Sequence, residues 1–143
     1  MDTVGAYAWR CEQGTLNFIG NSLDSYEDSG GRFLTFDNNA NASGQVVGNY
    51  LGHGVDYSAQ GFIWIRGTSV GQVNINFNVC GSETTTTERF IDNDGVINEL
   101  LGNTFINITN VIDTAGGGSV TTQGGNNSIN SETVDADLLI TIQ

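Results

Sequence analysis

The side chains that could support nucleophilic catalysis are few and lie close together in sequence. His53 is the only histidine of the chain, in Gly52-His53-Gly54, and Asp56 and Ser58 follow within five residues. A Ser–His–Asp triad normally draws its members from separate segments, so this spacing argues against a nucleophilic enzyme. The two flanking glycines instead predict a turn with an exposed imidazole. A single histidine also leaves no recognised zinc-ligand spacing.

Acidic side chains are plentiful, but they occur in local groups. A glycosidase needs two carboxyl groups that face each other across a cleft, one of them with a raised pKa. Neighbours in sequence that alternate or stand beside glycine are expected to be exposed and ordinary. We therefore expect no enzyme activity. The groups concerned are Asp24, Glu27 and Asp28, then Asp92 and Asp94, and finally Asp135 and Asp137.

Calcium is the metal that the sequence could accommodate. Asp92-Asn93-Asp94-Gly95, with Glu99 shortly after, resembles part of an EF-hand or dockerin-type loop. If Gly95 is the turn glycine of such a loop, the first and last ligand positions fall on Phe90 and Leu101, which are apolar. Asp94-Gly95 is also a strong hairpin dipeptide. A metal-free hairpin therefore explains this segment best, with Asp92, Asp94 and Glu99 as candidate calcium ligands in the alternative. No other cofactor is expected.

Aromatic residues near polar turns suggest a second kind of site. Tyr26, Tyr50 and Tyr57 lie beside polar or Gly-rich segments, where exposed rings could stack on sugars next to asparagine amides. Trp64 lies in the most apolar segment of the chain and is predicted to be in the core. The alternative is that all these rings simply pack a small β-sheet core.

The segment 73–79 alternates apolar residues with asparagines. Asn74, Asn76 and Asn78 fall on one face of the predicted strand and the apolar residues on the other. An uncharged polar face of this kind is solvated on a monomer, whereas in an oligomer it would supply hydrogen bonds between subunits. The three asparagines are therefore candidate interface residues.

The elements that would position these residues are all predicted to be strands. Short apolar or alternating segments recur at roughly 8–12 residue spacing, and a short helix is conceivable only at 95–101. No internal repeat stands out. About ten short strands with little helix predict a single all-β domain over residues 1–143, an antiparallel β-sandwich or jelly roll. The predicted strands are 5–12, 15–19, 32–36, 45–51, 60–66, 73–79, 84–91, 105–112, 119–122 and 134–142.

Charge and composition narrow the function classes. The formal net charge is −12, and the four cationic residues are all arginines, which excludes nucleic-acid binding by phosphate neutralisation. The chain has no proline and no lysine, two common protectors of sheet edges, so edges are expected to pair with a neighbouring chain. Seven of the acids lie after residue 89, where no basic residue occurs. Cys11 and Cys80 are expected to be buried free thiols, with a single disulfide as the alternative.

The most concrete functional expectation is a non-enzymatic structural protein. No secretion signal or membrane-spanning run is recognisable, so synthesis in a host cytoplasm is expected. We expect a capsid decoration protein or another surface component of a virion, with further copies of itself or the major capsid protein as partners, and neither nucleic acid nor membrane. The alternative is a carbohydrate-binding module of a tail fibre or cell surface, followed by the subunit of a self-assembling surface filament.

Overall fold

The fold is built from β-strands, in a computed structural model that describes residues 7–26, 32–37, 41–53, 62–67 and 72–129. Among these residues no segment forms a helix, and hence none could cross a membrane as one. The strands are β1 (Tyr7–Cys11), β2 (Gly14–Ile19), β3 (Ser22–Tyr26), β4 (Arg32–Phe36), β5 (Ala42–Val47), β6 (Tyr50–His53), β7 (Ile63–Ile65), β8 (Val73–Asn76), β9 (Val79–Asn93), β10 (Val96–Leu101), β11 (Thr104–Asp113), β12 (Ser119–Gly124) and β13 (Asn127–Ile129).

Every strand pair within the described residues is parallel. The prediction of an antiparallel β-sandwich or jelly roll is therefore wrong, although the all-β class is confirmed. Consecutive strands lie in different sheets, and each strand pairs with one that lies a full turn of the chain further on. The chain thus winds as a parallel β-solenoid. Short strands at 8–12 residue spacing fit both architectures, which is why spacing alone did not separate them.

Three sheets of five strands form the sides of the solenoid. Sheet 1 has the order β12-β10-β8-β5-β2. Sheet 2 contains β3, β6, the first parts of β9 and β11, and β13, whereas sheet 3 contains β1, β4, β7 and the last parts of β9 and β11. Because β9 and β11 run through the corner between sheets 2 and 3, those two sheets share continuous hydrogen bonding.

One strand from each sheet makes up one coil of the solenoid. Coil 1 contains β1–β3 and coil 2 contains β4–β6. Coil 3 contains β7, β8 and the start of β9, coil 4 the end of β9, β10 and the start of β11, and coil 5 the end of β11, β12 and β13. The chain therefore does contain an internal repeat, contrary to the sequence-based expectation.

The core consists of columns of identical or similar side chains stacked from coil to coil. Leu34, Ile63, Ile91 and Ile112 align in register through sheet 3 and are almost completely buried. Each such side chain contributes about 1.5–3 kcal/mol by leaving water. A second column is aromatic, with ring centroids 4.9 Å apart at both of its steps, and its members in order are Phe33, Phe62 and Phe90.

Several predicted element boundaries fail at the corners between sheets. The predicted strands 45–51 and 73–79 each run through a corner at which one strand ends and the next begins in another sheet. Asp94-Gly95 forms a corner between sheets 3 and 1 rather than a hairpin, because β9 and β10 belong to different sheets. The segment 95–101 contains strand β10 instead of a helix, and the predicted strand 134–142 lies outside the described residues.

Both cysteines are buried free thiols. Cys80 lies in the interior of sheet 2, where burial raises the pKa of its thiol. Loss of solvation of the thiolate causes this shift, so the group stays protonated and packs as a small apolar side chain.

Candidate functional site

An asparagine occupies the same corner in all five coils, between sheets 1 and 2. We call this turn the Asn corner. Successive members are separated by 28, 29, 25 and 23 residues. All but the first have a relative exposure of 5% or less. The five residues are Asn21, Asn49, Asn78, Asn103 and Asn126.

The asparagines form a hydrogen-bonded ladder that runs in one direction. The backbone N–H and the side-chain amide of Asn49 both donate to Oδ1 of Asn78, at 3.0 and 2.9 Å. Asn78 makes the same two bonds to Asn103, both at 3.0 Å. Its side-chain amide also donates back to the Val46 carbonyl of the preceding coil, at 2.8 Å. Each interior member therefore links three coils, which satisfies polar groups that would be costly to bury unpaired.

The residue before each ladder asparagine has a positive φ angle. This conformation costs an ordinary residue roughly 1–2 kcal/mol, and glycine adopts it freely. Four coils have glycine here, but coil 3 has Phe77 at φ 57°. The glycines are Gly20, Gly48, Gly102 and Gly125, with φ between 62° and 67°.

Phe77 points out of the solenoid and lies over the next coil. It is 64% exposed, the largest value among the exposed large apolar side chains of the described residues. A Cβ atom at Gly102 would stand 2.6 Å from Cδ1 of Phe77, so the ring occupies the space that a side chain of coil 4 would need. Coil 3 therefore combines a strained backbone with an aromatic ring that remains mostly in water.

Three further exposed apolar side chains flank the Asn corner. Ile19 is 54% exposed, Tyr50 46% and Val79 38%. Tyr50 and Val79 are register partners in sheet 2, so they stand side by side on its outer face. Ile19, Tyr50, Phe77 and Val79 belong to coils 1–3, which together span about 10 Å along the axis. We call these four uncharged residues the apolar corner patch.

The corner between sheets 3 and 1 is charged instead. Asp37, only 7% exposed, receives the guanidinium groups of both Arg10 and Arg66, the latter at 3.4 Å. Arg66 also lies over the Trp64 ring, 5.1 Å from its centroid, and the indole N–H donates to Asp94 at 3.2 Å. These contacts tie coils 1–4 together. Trp64 is half-buried on the outer face, not in the core as predicted.

The three candidate calcium ligands are held in different contacts. Asp94 accepts from Trp64, and Oε2 of Glu99 accepts from the Asn76 amide at 2.8 Å. Asp92 aligns in register with Trp64 on one side and with Asp113 on the other. Within the described part of the chain, no three His, Cys, Asp or Glu side chains are grouped closely enough to hold a metal ion.

The predicted polar face of 73–79 is divided between the surface and the interior. The alternation holds along β8, where Val73 and Ile75 are buried, but it reverses at Phe77, which points outward. Asn74 accepts from Asn98 at 3.2 Å, and Asn76 is nearly buried against Glu99. Asn78 belongs to the ladder. The amides of Asn76 and Asn78 therefore serve contacts within the chain. Asn78 faces inward because the positive φ angle of Phe77 changes which side of the chain faces the core.

The structure describes only part of the predicted sugar-binding residues and of the residues whose spacing argued against catalysis. Tyr50 is exposed and lies in the apolar corner patch. Tyr26 and His53 align with each other in β3 and β6, but their side chains lie outside the described residues. Tyr57, Asp56 and Ser58 lie outside them entirely, as do Asp135 and Asp137.

Sequence reasoning missed the ladder and Phe77, although a signal for both was present. Gly-Asn occurs at 20–21, 48–49, 102–103 and 125–126, each time after an apolar or strand-forming segment. Asn78 stands at an intermediate position with Phe77 in the place of glycine. Reading these pairs as a repeat of 23–29 residues would have indicated a solenoid.

Comparisons with known proteins supply no function, so the proposal below is based on the geometry of the chain. No family model, no curated protein and no solved structure matches this chain.

Proposed function

We propose that this protein is a non-enzymatic structural module that acts through contacts between subunits on the surface of a particle, most concretely a virion. The observation that carries the proposal is the apolar corner patch. Exposed apolar side chains grouped around one corner of a protein commonly mark interaction sites, and Tyr50 and Val79 are direct neighbours here. Such a patch suits a protein with a net charge of −12, because burying it removes no charge from water.

Phe77 is the strongest argument within the patch. Backbone strain of this kind persists where the surrounding structure or a function maintains it. Glycine would remove the strain at this position, as it does in the other four coils. An aromatic ring that is 64% exposed gains little from folding, so its benefit is expected to arise when a partner covers it.

The test is binding to particles purified from the source of the chain. The wild-type protein is expected to co-sediment with them, and the double variant Phe77→Gly, Tyr50→Ser is expected to bind roughly tenfold or more weakly. Gln123→Ser changes an exposed residue away from the patch and should bind like the wild type. A wild-type protein that is monomeric by light scattering and does not bind particles would overturn the proposal.

A carbohydrate-binding module is the second candidate, because Tyr50 and Phe77 offer exposed rings, and Asn21 and Asn127 are exposed at or next to the Asn corner. Aromatic faces and neutral amides are groups that stack on and hydrogen-bond to sugars. A glycan array decides between the two. Glycan binding that Tyr50→Ser abolishes, without any binding to particles, would favour this candidate.

A further inference from the structure

The Asn ladder has two chemically different ends. At the coil 1 end, the Asn21 amide donates to Ile19 of its own coil at 3.1 Å. Every later ladder amide instead donates to a carbonyl of the preceding coil, as Asn49 does to Phe18 at 2.8 Å. In the other ladder members, Oδ1 accepts hydrogen bonds from the asparagine of the preceding coil. Oδ1 of Asn21 is the corresponding acceptor at this end. Within the described residues no coil supplies that donor.

The coil 5 end offers the matching donor. Asn126 donates its side-chain amide back to Leu100 at 2.8 Å and accepts from Asn103. The backbone N–H groups of Asn49, Asn78 and Asn103 each donate onward to the next asparagine. Among the described residues, no acceptor lies at the corresponding position for the backbone N–H of Asn126. Among the residues that the structure describes, one end of the ladder therefore lacks a donor and the other lacks an acceptor.

The edge of sheet 1 in coil 1 is a strand edge without a described partner. Gly14 and Gly20 donate their N–H groups to coil 2, and the Phe18 carbonyl also faces coil 2. Because peptide groups alternate along a strand, the N–H and C=O groups of Thr15, Asn17 and Ile19 face the opposite side. This edge is a template for another parallel strand.

The apolar interior also comes to the surface at this end. Trp9 is 52% exposed, although its register partner Leu34 in coil 2 is completely buried. Its ring lies 6.5 Å from that of Phe18, another inward-facing residue of coil 1 that is only partly buried. A further coil placed on coil 1 would cover both rings.

We propose that the occupant of this end is a second copy of the same chain, stacked head to tail. In this arrangement β12 of one copy pairs with β2 of the next, and Asn126 donates to Asn21 across the junction. A second copy is favoured over another protein because one chain carries both the acceptor end and the matching donor end of a single ladder. Such a contact uses two different surfaces, so it propagates into a rod rather than closing as a dimer.

The inference rests on the proposed function, since it identifies one of the subunit contacts through which the protein would act. The two can still be separated. Stacking uses the coil 1 and coil 5 ends, whereas three of the four residues of the apolar corner patch, Tyr50, Phe77 and Val79, lie in coils 2 and 3 and are the ones to which particle binding is assigned. A variant with a blocked end is therefore expected to retain the binding of single copies to particles.

The test is Asn17→Pro, with Asn17→Thr as its matched control. Proline removes an N–H that faces the open edge and that takes part in no hydrogen bond between described residues. Threonine changes the same exposed side chain but retains the N–H. In light scattering over increasing concentration, the mass of the wild type and of Asn17→Thr is expected to exceed that of a monomer. The mass should rise further at high salt, because salt screens the repulsion between negatively charged copies. Asn17→Pro is expected to remain a monomer with an unchanged circular dichroism spectrum.

Mixing tests the direction of stacking. Asn17→Pro retains its coil 5 end, so a small fraction of it should cap wild-type stacks and lower their mean mass. A wild type that is monomeric throughout would overturn the inference, as would stacks unaffected by Asn17→Pro. If Asn17→Pro unfolds, Asn17→Lys provides the same comparison, because a lysine on the edge also disfavours strand addition.

Discussion

The two described corners that flank sheet 1 both connect successive coils through side-chain contacts, but the chemistry of those contacts differs. At the Asn corner each coil uses one asparagine, and the contacts repeat from coil to coil without charge. At the charged corner Asp37 gathers arginines from the coils on either side, and each coil contributes different residues. A buried neutral ladder depends on every member, whereas a partly exposed ionic cluster is tolerant of change. The Asn corner is therefore expected to dominate the stability of the solenoid.

The largest expected effect is at the centre of the ladder. Asn78→Ala removes the acceptor of both Asn49 donors and leaves the oxygen atoms of Asn103 and Val46 short of a donor. The free energy of unfolding is expected to fall by about 4 kcal/mol, since each buried unpaired group costs about 1–3 kcal/mol. Urea denaturation measures this. Asn17→Ala, on the outer face, is the control and should change stability by less than about 0.5 kcal/mol.

Alanine substitutions at two glycines of the Asn corner should lower the free energy of unfolding by different amounts. Gly48→Ala introduces only the cost of a positive φ angle, about 1 kcal/mol, because no atom lies within 4 Å of the new Cβ. Gly102→Ala adds a clash with the Phe77 ring and should cost about 2 kcal/mol. Combining Gly102→Ala with Phe77→Gly should remove the excess. Equal costs for the two single variants, measured by thermal unfolding, would contradict this placement of Phe77.

Substitution at the charged corner should lower the free energy of unfolding by a smaller amount, and that amount should depend on salt. Asp37→Asn removes the carboxylate that both arginines contact and is expected to cost only about 1 kcal/mol, because Arg10 and Arg66 are more than a third exposed. Adding salt should reduce the difference between the variant and the wild type. If Asp37→Asn proved as damaging as Asn78→Ala, the ranking of the two corners would be reversed.

The comparison also explains which features could be predicted from sequence. Alternation within a single strand is a local property, so β8 was recognised from Val73 to Asn76. The direction in which neighbouring strands pair is not local, because parallel and antiparallel sheets can share the same alternation. Alternation continued through a corner places Phe77 on the same face as Val73 and Ile75, but the positive φ angle of Phe77 at that corner turns its side chain outward. The repeat of 23–29 residues, which was not recognised, was the signal that could have indicated parallel pairing.

The functional residues, like the strands, could be predicted only where a local property of the sequence decides their position. Tyr50 was identified because aromatic residues beside a Gly-rich turn are often exposed, which needs no knowledge of the fold. Alternation along 73–79 places Asn76 and Asn78 on one polar face with Asn74. In the structure their amides are held by residues of the next coil, since Asn76 donates to Glu99 and Asn78 to Asn103. Such partners are 23–29 residues distant in sequence, so only the fold brings them together.

Phe77→Gly is the decisive variant for the proposal that coil 3 has Phe77 in place of glycine in order to contact a partner. Two results of opposite sign are expected. The free energy of unfolding should rise by about 1 kcal/mol in urea denaturation, because glycine removes the backbone strain, while binding to particles should weaken. A variant that is less stable than the wild type, or one that binds particles equally well, would contradict the account.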